Sequence, residues 1–380
     1  MRFEMIVRVM LALRLWLAIG VAVFAARPAA AGSNKWTVVF PHAPRVLSMA
    51  IDPTNPETLY VATALPPDLL LSRDGGLSWS SLEMGTLLDG AGTLWQVSID
   101  SQNPSHLLVI SPSPSAFYQS FDSGMTWSGL RFDAGILNGG QTFAFGMSHD
   151  SKTIYVAVHE TCDSLYGAFL GCSGGGVLKS TDAGSTWTRT ELRARAVRVM
   201  IVDPVNADIA YAITADGAES KLLAILRTVD GGRTWTQIGP NASPQILVID
   251  PMAPANLYLC ANATLWTSRD RGDRWEMIRT DSALLDSVVA FALDPIDPAG
   301  MFALRPSSPV GPVNPLDPAA HFVILRSTDR GQTWNRFIDA PSFPAPELII
   351  DSRRTSFYVR GGDLLGYTIV GGRRRSVRWK

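Results

Sequence analysis

One eight-residue phrase, Ser/Thr-x-Asp-x-Gly-x-x-Trp, is written six times in this 380-residue chain. The copies run Ser72 to Trp79, Ser120 to Trp127, Ser180 to Trp187, Thr228 to Trp235, Ser268 to Trp275 and Ser327 to Trp334. A phrase that returns at near-regular spacing marks a repeat architecture, in which each unit buries its apolar face against the next. Within a copy, Asp and Gly together predict a tight turn. The carboxylate can accept from backbone N–H groups two residues on, and glycine takes positive φ at no steric cost. The tryptophan is expected to start the next strand and bury roughly 150–250 Å². Asp74, Asp122, Asp182, Asp230, Asp270 and Asp329, with Trp79, Trp127, Trp187, Trp235, Trp275 and Trp334, are therefore read as structural corners. A ligand site usually breaks the symmetry of a repeat, and these do not.

A second phrase recurs out of step with the first: an apolar run, Asp-Pro or Asp-Ser, a short polar turn, then another apolar run. Its seven copies are Met49 to Ala62, Val97 to Ile110, Met147 to Val158, Ile201 to Ile213, Val248 to Cys260, Ala292 to Leu304 and Ile349 to Val359. Proline is tolerated in such turns and excluded from central strands, so it marks a boundary. Together the phrases give a four-stranded unit. Strand A enters the Asp-Pro turn and B leaves it; a variable link leads to C; the Asp-Gly-Trp corner joins C to D. Antiparallel units of this size predict an all-β fold, a single β-propeller. The count is seven blades, with six and a degenerate end as the alternative.

The seventh unit has strands A and B and a strand C over Asp363 to Val370, but no corner. The segment Ser33 to Phe40 (SNKWTVVF) resembles a Trp-led strand D and is expected to close the ring, which would remove the exposed edges of an open sheet. The competing donor is the tail Arg375 to Lys380. Ahead of the repeats, Arg2, Arg8 and Arg14 precede an apolar run from Leu15 to Ala26 and a small-residue site at Ala29 to Ala31. That pattern predicts a secretory signal over residues 1–31, a propeller over 32–370 and a basic tail over 371–380. The product is expected to be secreted or periplasmic, with no membrane span after residue 31, and monomeric.

The formal net charge of −1 argues against a general nucleic-acid binder. Three cysteines and five histidines show no metal-ligand spacing, and no cofactor is called for. Cys162 and Cys172 share one loop and, in an oxidising compartment, can close a disulfide contributing about 3 kcal/mol. Cys260, ending a strand B, reads as a buried thiol.

In an antiparallel blade successive links alternate between faces. The A–B turns and C–D corners share one face and hardly vary; the B–C and D–A links share the other and vary widely. Variation gathered on one face of a rigid scaffold is where binding is expected. The candidate residues there are His159, Glu160, Asp163 and Tyr166 in the blade-3 loop, and Arg193, Arg195 and Arg198 after it. Asp216, Glu219 and Lys221 follow in blade 4, then Asp281 and Asp286, Arg305 and His321 in blade 6, and Arg360 in blade 7. Such a set suits sugars, acid groups or a polar protein surface.

The eight-residue phrase resembles the Asp-box, or BNR repeat. With the Asp-Pro to Leu-Tyr-Val phrase (Asp52 to Val61), nearly all of the chain after residue 31 looks like Asp-box propellers. These include photosystem II assembly and stability factors, sortilin-type ectodomains and xyloglucanase-type hydrolases. Sialidases of this class carry an Arg-Ile-Pro string that is missing here; Leu304-Arg305-Pro306 is the nearest, and it lies late in the chain. Xyloglucanase types set two propellers across a cleft, and this length suffices for one. The resemblance to the assembly factors implies a non-catalytic scaffold binding a protein or glycan partner through its variable face. The alternative it implies is a sialidase-like or xyloglucanase-like glycoside hydrolase.

Overall fold

The computed structural model describes residues 36–373, apart from 41–44, 65–66, 83, 85–93, 95, 113–114, 132–140, 160, 166–167, 174, 194–195, 216–222, 263, 279–287, 308–320, 342–346, 351–355 and 364–365. The expected leader lies outside the described residues; of the expected tail 371–380, residues 371–373 belong to the strand Gly366–Arg373 and 374–380 lie outside the described residues. Seven four-stranded antiparallel sheets form the blades. In strand order A to D, blade 1 is Arg45–Ile51, Leu59–Ala64, Leu69–Ser72 and Ser80–Ser81. Blade 2 is Gln96–Ile99, Leu107–Pro112, Ser115–Ser120 and Ser128–Arg131. Blade 3 is Gln141–Met147, Ile154–His159, Gly176–Ser180 and Thr188–Arg193. Blade 4 is Ala196–Val202, Ala210–Ala215, Leu223–Thr228 and Thr236–Ile238. Blade 5 is Pro244–Ile249, Leu257–Ala261, Thr264–Ser268 and Glu276–Met277. Blade 6 is Ala290–Leu293, Met301–Pro306, His321–Ser327 and Asn335–Pro341.

Blade 7 takes its outer strand from the other end of the chain. Glu347–Ile350, Ser356–Asp363 and Gly366–Arg373 are joined by Trp36–Phe40, which pairs antiparallel with Gly366–Arg373. The N-terminal segment is thus the closing strand, and the count is seven. Strand C of this blade begins at Gly366; Asp363 belongs to strand B. A strands of neighbouring blades touch one another, so they are the innermost strands around the axis. Ser48 Oγ of blade 1, for instance, accepts from the backbone N–H of Val97 in blade 2 at 3.2 Å.

The core consists of apolar layers between blades. Leu108, Ile110 and Phe117 of blade 2 meet Phe145, Val156 and Leu178 of blade 3. Tyr211, Ile213 and Ile225 of blade 4 meet Leu257 and Leu259 of blade 5. Strand B has apolar neighbours on both faces and reads as an unbroken apolar run; all of Leu257–Ala261 is buried. Strand D faces solvent, which accounts for short, exposed pairs such as Ser80–Ser81.

Candidate functional site: two unequal faces

Each corner is a closed hydrogen-bond circuit. In blade 3 the Ser180 hydroxyl donates to Asp182 at 2.7 Å and accepts from the Gly184 N–H at 2.8 Å. Asp182 then accepts the Thr186 N–H at 2.8 Å and the Thr186 hydroxyl at 2.6 Å. The carboxylate thus bonds four residues on, and not two as expected from sequence. The tryptophan stands just before strand D instead of starting it, and the Trp187 indole N–H donates to Gly184 O at 3.0 Å. Five of the six copies carry Ser or Thr at the seventh position; blade 5 has Arg274, whose backbone alone bonds Asp270, at 2.9 Å. Sequence reading left that position unassigned, although its recurring hydroxyl was the signal.

These bonds hold the carboxyls of Asp122, Asp182 and Asp230 down to about 2. The Thr hydroxyl at the seventh position is the largest influence on each, ahead of the Thr N–H. A group depressed in the folded state stabilises it fully above its unfolded value near 3.8, and that stabilisation is lost as pH falls through about 2. The melting temperature is therefore expected to be level above about pH 5 and to fall between about pH 4 and 2. A Thr126→Val, Thr186→Val, Thr234→Val triple variant should melt lower above about pH 5 and lose less on acidification, because less stabilisation is left to lose between the same pH limits; an acid limb of undiminished depth would contradict this. Carboxylates tied in this way are poor general acids near neutrality.

The residue after each Asp also has positive φ: Gly75 and Gly231, but Ser123, Ala183, Arg271 and Arg330 elsewhere. Ala183 sits at φ 56°, where an L side chain is strained. Ala183→Gly is expected to stabilise the protein by about 0.5–1 kcal/mol after the added entropy of glycine is offset. An unchanged denaturation midpoint would contradict the strain.

Corners and A–B turns are bonded to each other in all six blades that have both. The residue after Asp donates its N–H into the neighbouring turn: Gly75 to Glu57 O at 2.8 Å, Ala183 to Lys152 O at 2.9 Å, Arg330 to Ala299 O at 2.9 Å. The turns are Asx-capped, as where Asp203 accepts from Val205 and Asn206 at 2.9 and 3.1 Å. Blade 3 departs from the phrase: Ser148 takes the Asp place and Asp150 caps from two residues on. Two strand-B tyrosines bridge blades, Tyr155 donating to Ala207 O at 2.9 Å and Tyr211 to Arg271 O at 3.3 Å. An ion pair between Arg271 and Asp203, 3.2 Å apart, adds a further bridge. This corner face is stitched around the ring. It also carries exposed apolar side chains, among them Val205, Met252 and Ile296 in the turns and both Phe121 and Met125 in the blade-2 corner.

The opposite face is irregular. In blade 3 an additional hairpin, Thr161–Leu165 with Ala168–Ser173, rises between strands B and C, and its second strand lies against blade 4 strand A. In the sequence it shows only as a long link. Cys162 and Cys172 are register partners across it. In blade 5 the B–C turn is short: Ala261 pairs with Thr264, and Asn262 has φ 48°. A cleft of 380 Å³ opens on this face between blades 4 and 5, lined by Ile225, Gln237, Asn241, Ser243 and Asn262.

Strand A carries a β-bulge near this face in blades 1, 3, 4 and 5, at Leu47, Phe143, Arg198 and Gln245. A bulge re-aims its side chain. Here that happens on the innermost strand, and Arg198 and Gln245 are exposed.

Several expected loop residues are strand residues. Arg198 is the blade-4 bulge and Arg193 ends blade-3 strand D, paired with Glu191 at 3.1 Å. Arg305 lies in blade-6 strand B, its Nε donating to Pro306 O at 3.1 Å. His159 ends blade-3 strand B and His321 begins blade-6 strand C. Arg360 is within blade-7 strand B, opposite Glu347. Asp163 lies on the hairpin opposite Gly171. Glu160, Tyr166, Arg195, Asp216, Glu219, Lys221, Asp281 and Asp286 lie outside the described residues. The fold brings Arg193, Arg198 and the hairpin together at blades 3 and 4; Arg305, His321 and Arg360 stand across the ring. Among the described residues no group of His, Cys, Asp and Glu is placed to hold a metal, and no helix is long and apolar enough to cross a membrane. Cys260 is a buried free thiol, and burial pushes it up to about 11.

No protein-family model and no curated protein matches the chain. Among solved structures it is similar to YCF48 from Cyanidioschyzon merolae, with a TM-score of 0.62 at 15% identity over 90% of this chain and 99% of that one. A structure of YCF48 bound to D1 peptide aligns with a TM-score of 0.61 at 14% identity, over 92% and 100% of the two chains. The GH74 xyloglucanase from Xanthomonas campestris aligns with a TM-score of 0.47 at 16% identity, over 86% of this chain. This chain spans 56% of that enzyme's length. Identities at this level speak to the fold.

Proposed function

We propose that this chain is a secreted or periplasmic, non-catalytic scaffold that binds a protein partner through its variable-loop face, around the channel mouth at blades 3 to 5. The observation that carries the reading is the asymmetry of the disc. One face repeats the same bonded turn in six blades; the other gathers the extra hairpin, the bulged inner strands with exposed Arg198 and Gln245, and the 380 Å³ cleft. Function concentrates where a rigid scaffold permits variation. The exposed arginines Arg193 and Arg198 favour an acidic segment of the partner. The peptide-bound YCF48 structure supports the reading in that a propeller of this fold accommodates a peptide.

Secretion rests on the pattern of residues 1–31, and an oxidising compartment would permit a Cys162–Cys172 bond. Alkylation of the denatured, unreduced protein should then label Cys260 alone; three labelled thiols would refute the bond.

The binding reading is tested by affinity capture from an envelope extract. An Arg198→Glu, Gln245→Glu variant should lose the captured partner while keeping its melting temperature. Capture by that variant equal to wild type would overturn the proposed site. Turnover of a β-glucan or sialoside by the purified protein would overturn the non-catalytic reading.

A further inference from the structure

In blades 3 and 4 a basic side chain just ahead of the corner hydroxyl crosses to the next blade, and blade 5 carries no such side chain. In blade 3, Lys179, just ahead of the corner hydroxyl, reaches Asp208 of blade 4 at 3.0 Å. In blade 4, Arg227 at the same position reaches Asp273 of blade 5 at 2.7 Å and Arg271 O at 2.8 Å. Blade 5 has Thr267 there, too short to cross. A cavity of 310 Å³ opens between blades 5 and 6 on the corner side of the disc, away from the variable face.

The walls are unlike those of an unfilled gap. Tyr258, only 4% exposed, lines the cavity. Its counterparts Tyr155 and Tyr211 donate across to the next blade, whereas the Tyr258 hydroxyl takes no hydrogen-bond partner among the described residues. Arg269 and, from blade 6, Arg330 also line it, and neither has an ion-pair partner among the described residues. Glu276 faces the same space, leaving a net charge of one positive. Thr267 and Gln332 add hydrogen-bonding groups, and Ile278 an apolar wall.

We infer that this cavity binds a small polyhydroxylated ligand bearing a single carboxylate, of the size of one acidic sugar. The volume is at the low end of ligand pockets and suits one ring. Two guanidiniums suit a carboxylate, and one opposing Glu disfavours a dianion. The neutral donors and acceptors suit ring hydroxyls. The site is separate from the proposed partner-binding face, so the failure of either leaves the other standing.

The test is calorimetric titration of the purified full chain with D-glucuronate, D-glucose and inorganic phosphate. Glucuronate should bind saturably, at least about tenfold tighter than glucose, a gap of about 1.4 kcal/mol. Arg269→Gln with Arg330→Gln should weaken glucuronate at least about tenfold, and Thr267→Lys, which restores the blade-3 filling, should abolish binding. Tyr258→Phe should weaken it with the fold retained. No saturation by glucuronate, or phosphate binding equally well, would overturn the inference. So would undiminished binding by a folded Thr267→Lys or, should that variant not fold, by Tyr258→Phe.

Discussion

Trp334→Ala is expected to destabilise the protein by about 3–5 kcal/mol, the range for emptying a large buried aromatic site. Trp334 is the one described corner tryptophan that is fully buried, at 6% exposure. It packs in the layer between blades 5 and 6, with its ring 6.5 Å from Phe291 and inclined to it at 62°, beside Met301 and Leu325. The indole N–H donates to Gly331 O at 2.9 Å, so alanine also leaves that carbonyl without this donor. The same change at half-buried Trp127 or Trp187 should cost less, since more of each ring already faces water. Denaturant unfolding of the three variants checks the ordering; a Trp334→Ala protein as stable as wild type would remove the corner tryptophan as an anchor.

Deleting the closing strand should be about as damaging. A chain beginning at Arg45 loses the strand Trp36–Phe40 and its four paired positions on Gly366–Arg373. At about 1 kcal/mol for each backbone bond, the loss is on the order of 4 kcal/mol before any packing is counted. The exposed strand of blade 7 would also become a template for association. The truncated chain, produced without its leader, is expected to melt lower and to self-associate, and a peptide spanning residues 33–40 should restore it in trans. A truncated monomer with the wild-type melting temperature would mean that the ring does not depend on this closure.

The fold was legible because its determinants are local and repeated. The Asp-Pro turn and the Asp-Gly-Trp corner each fix two strand ends by side-chain to backbone bonds within a few residues. Even the closing strand was readable, because Trp36 to Phe40 repeats the tryptophan and extended segment that follow each corner, although here the tryptophan lies within the strand. What escaped were features set by pairing between strands. Whether Arg198 lies in a loop or on a bulge depends on its register with Ala210–Ala215, and register is not local. The blade-3 hairpin carries no turn signature strong enough to separate it from a long link. The cavity between blades 5 and 6 was legible only by comparing one position across blades: Lys179, Arg227 and Thr267 precede the corner hydroxyl in turn. A break in a repeat is visible in sequence, but its meaning needs the neighbouring blade in place.

The division of labour between the two faces is tested most directly by site-specific photo-crosslinking in the native envelope. A photoreactive residue placed at Leu47, Arg198, Asn241 or Gln245 reports on the variable face, and one at Val205, Met252 or Ile296 on the exposed apolar residues of the corner face. The account predicts protein adducts from the first set and none from the second. Adducts from Val205, Met252 and Ile296 with none from Arg198 and Gln245 would contradict it and move the partner to the corner face.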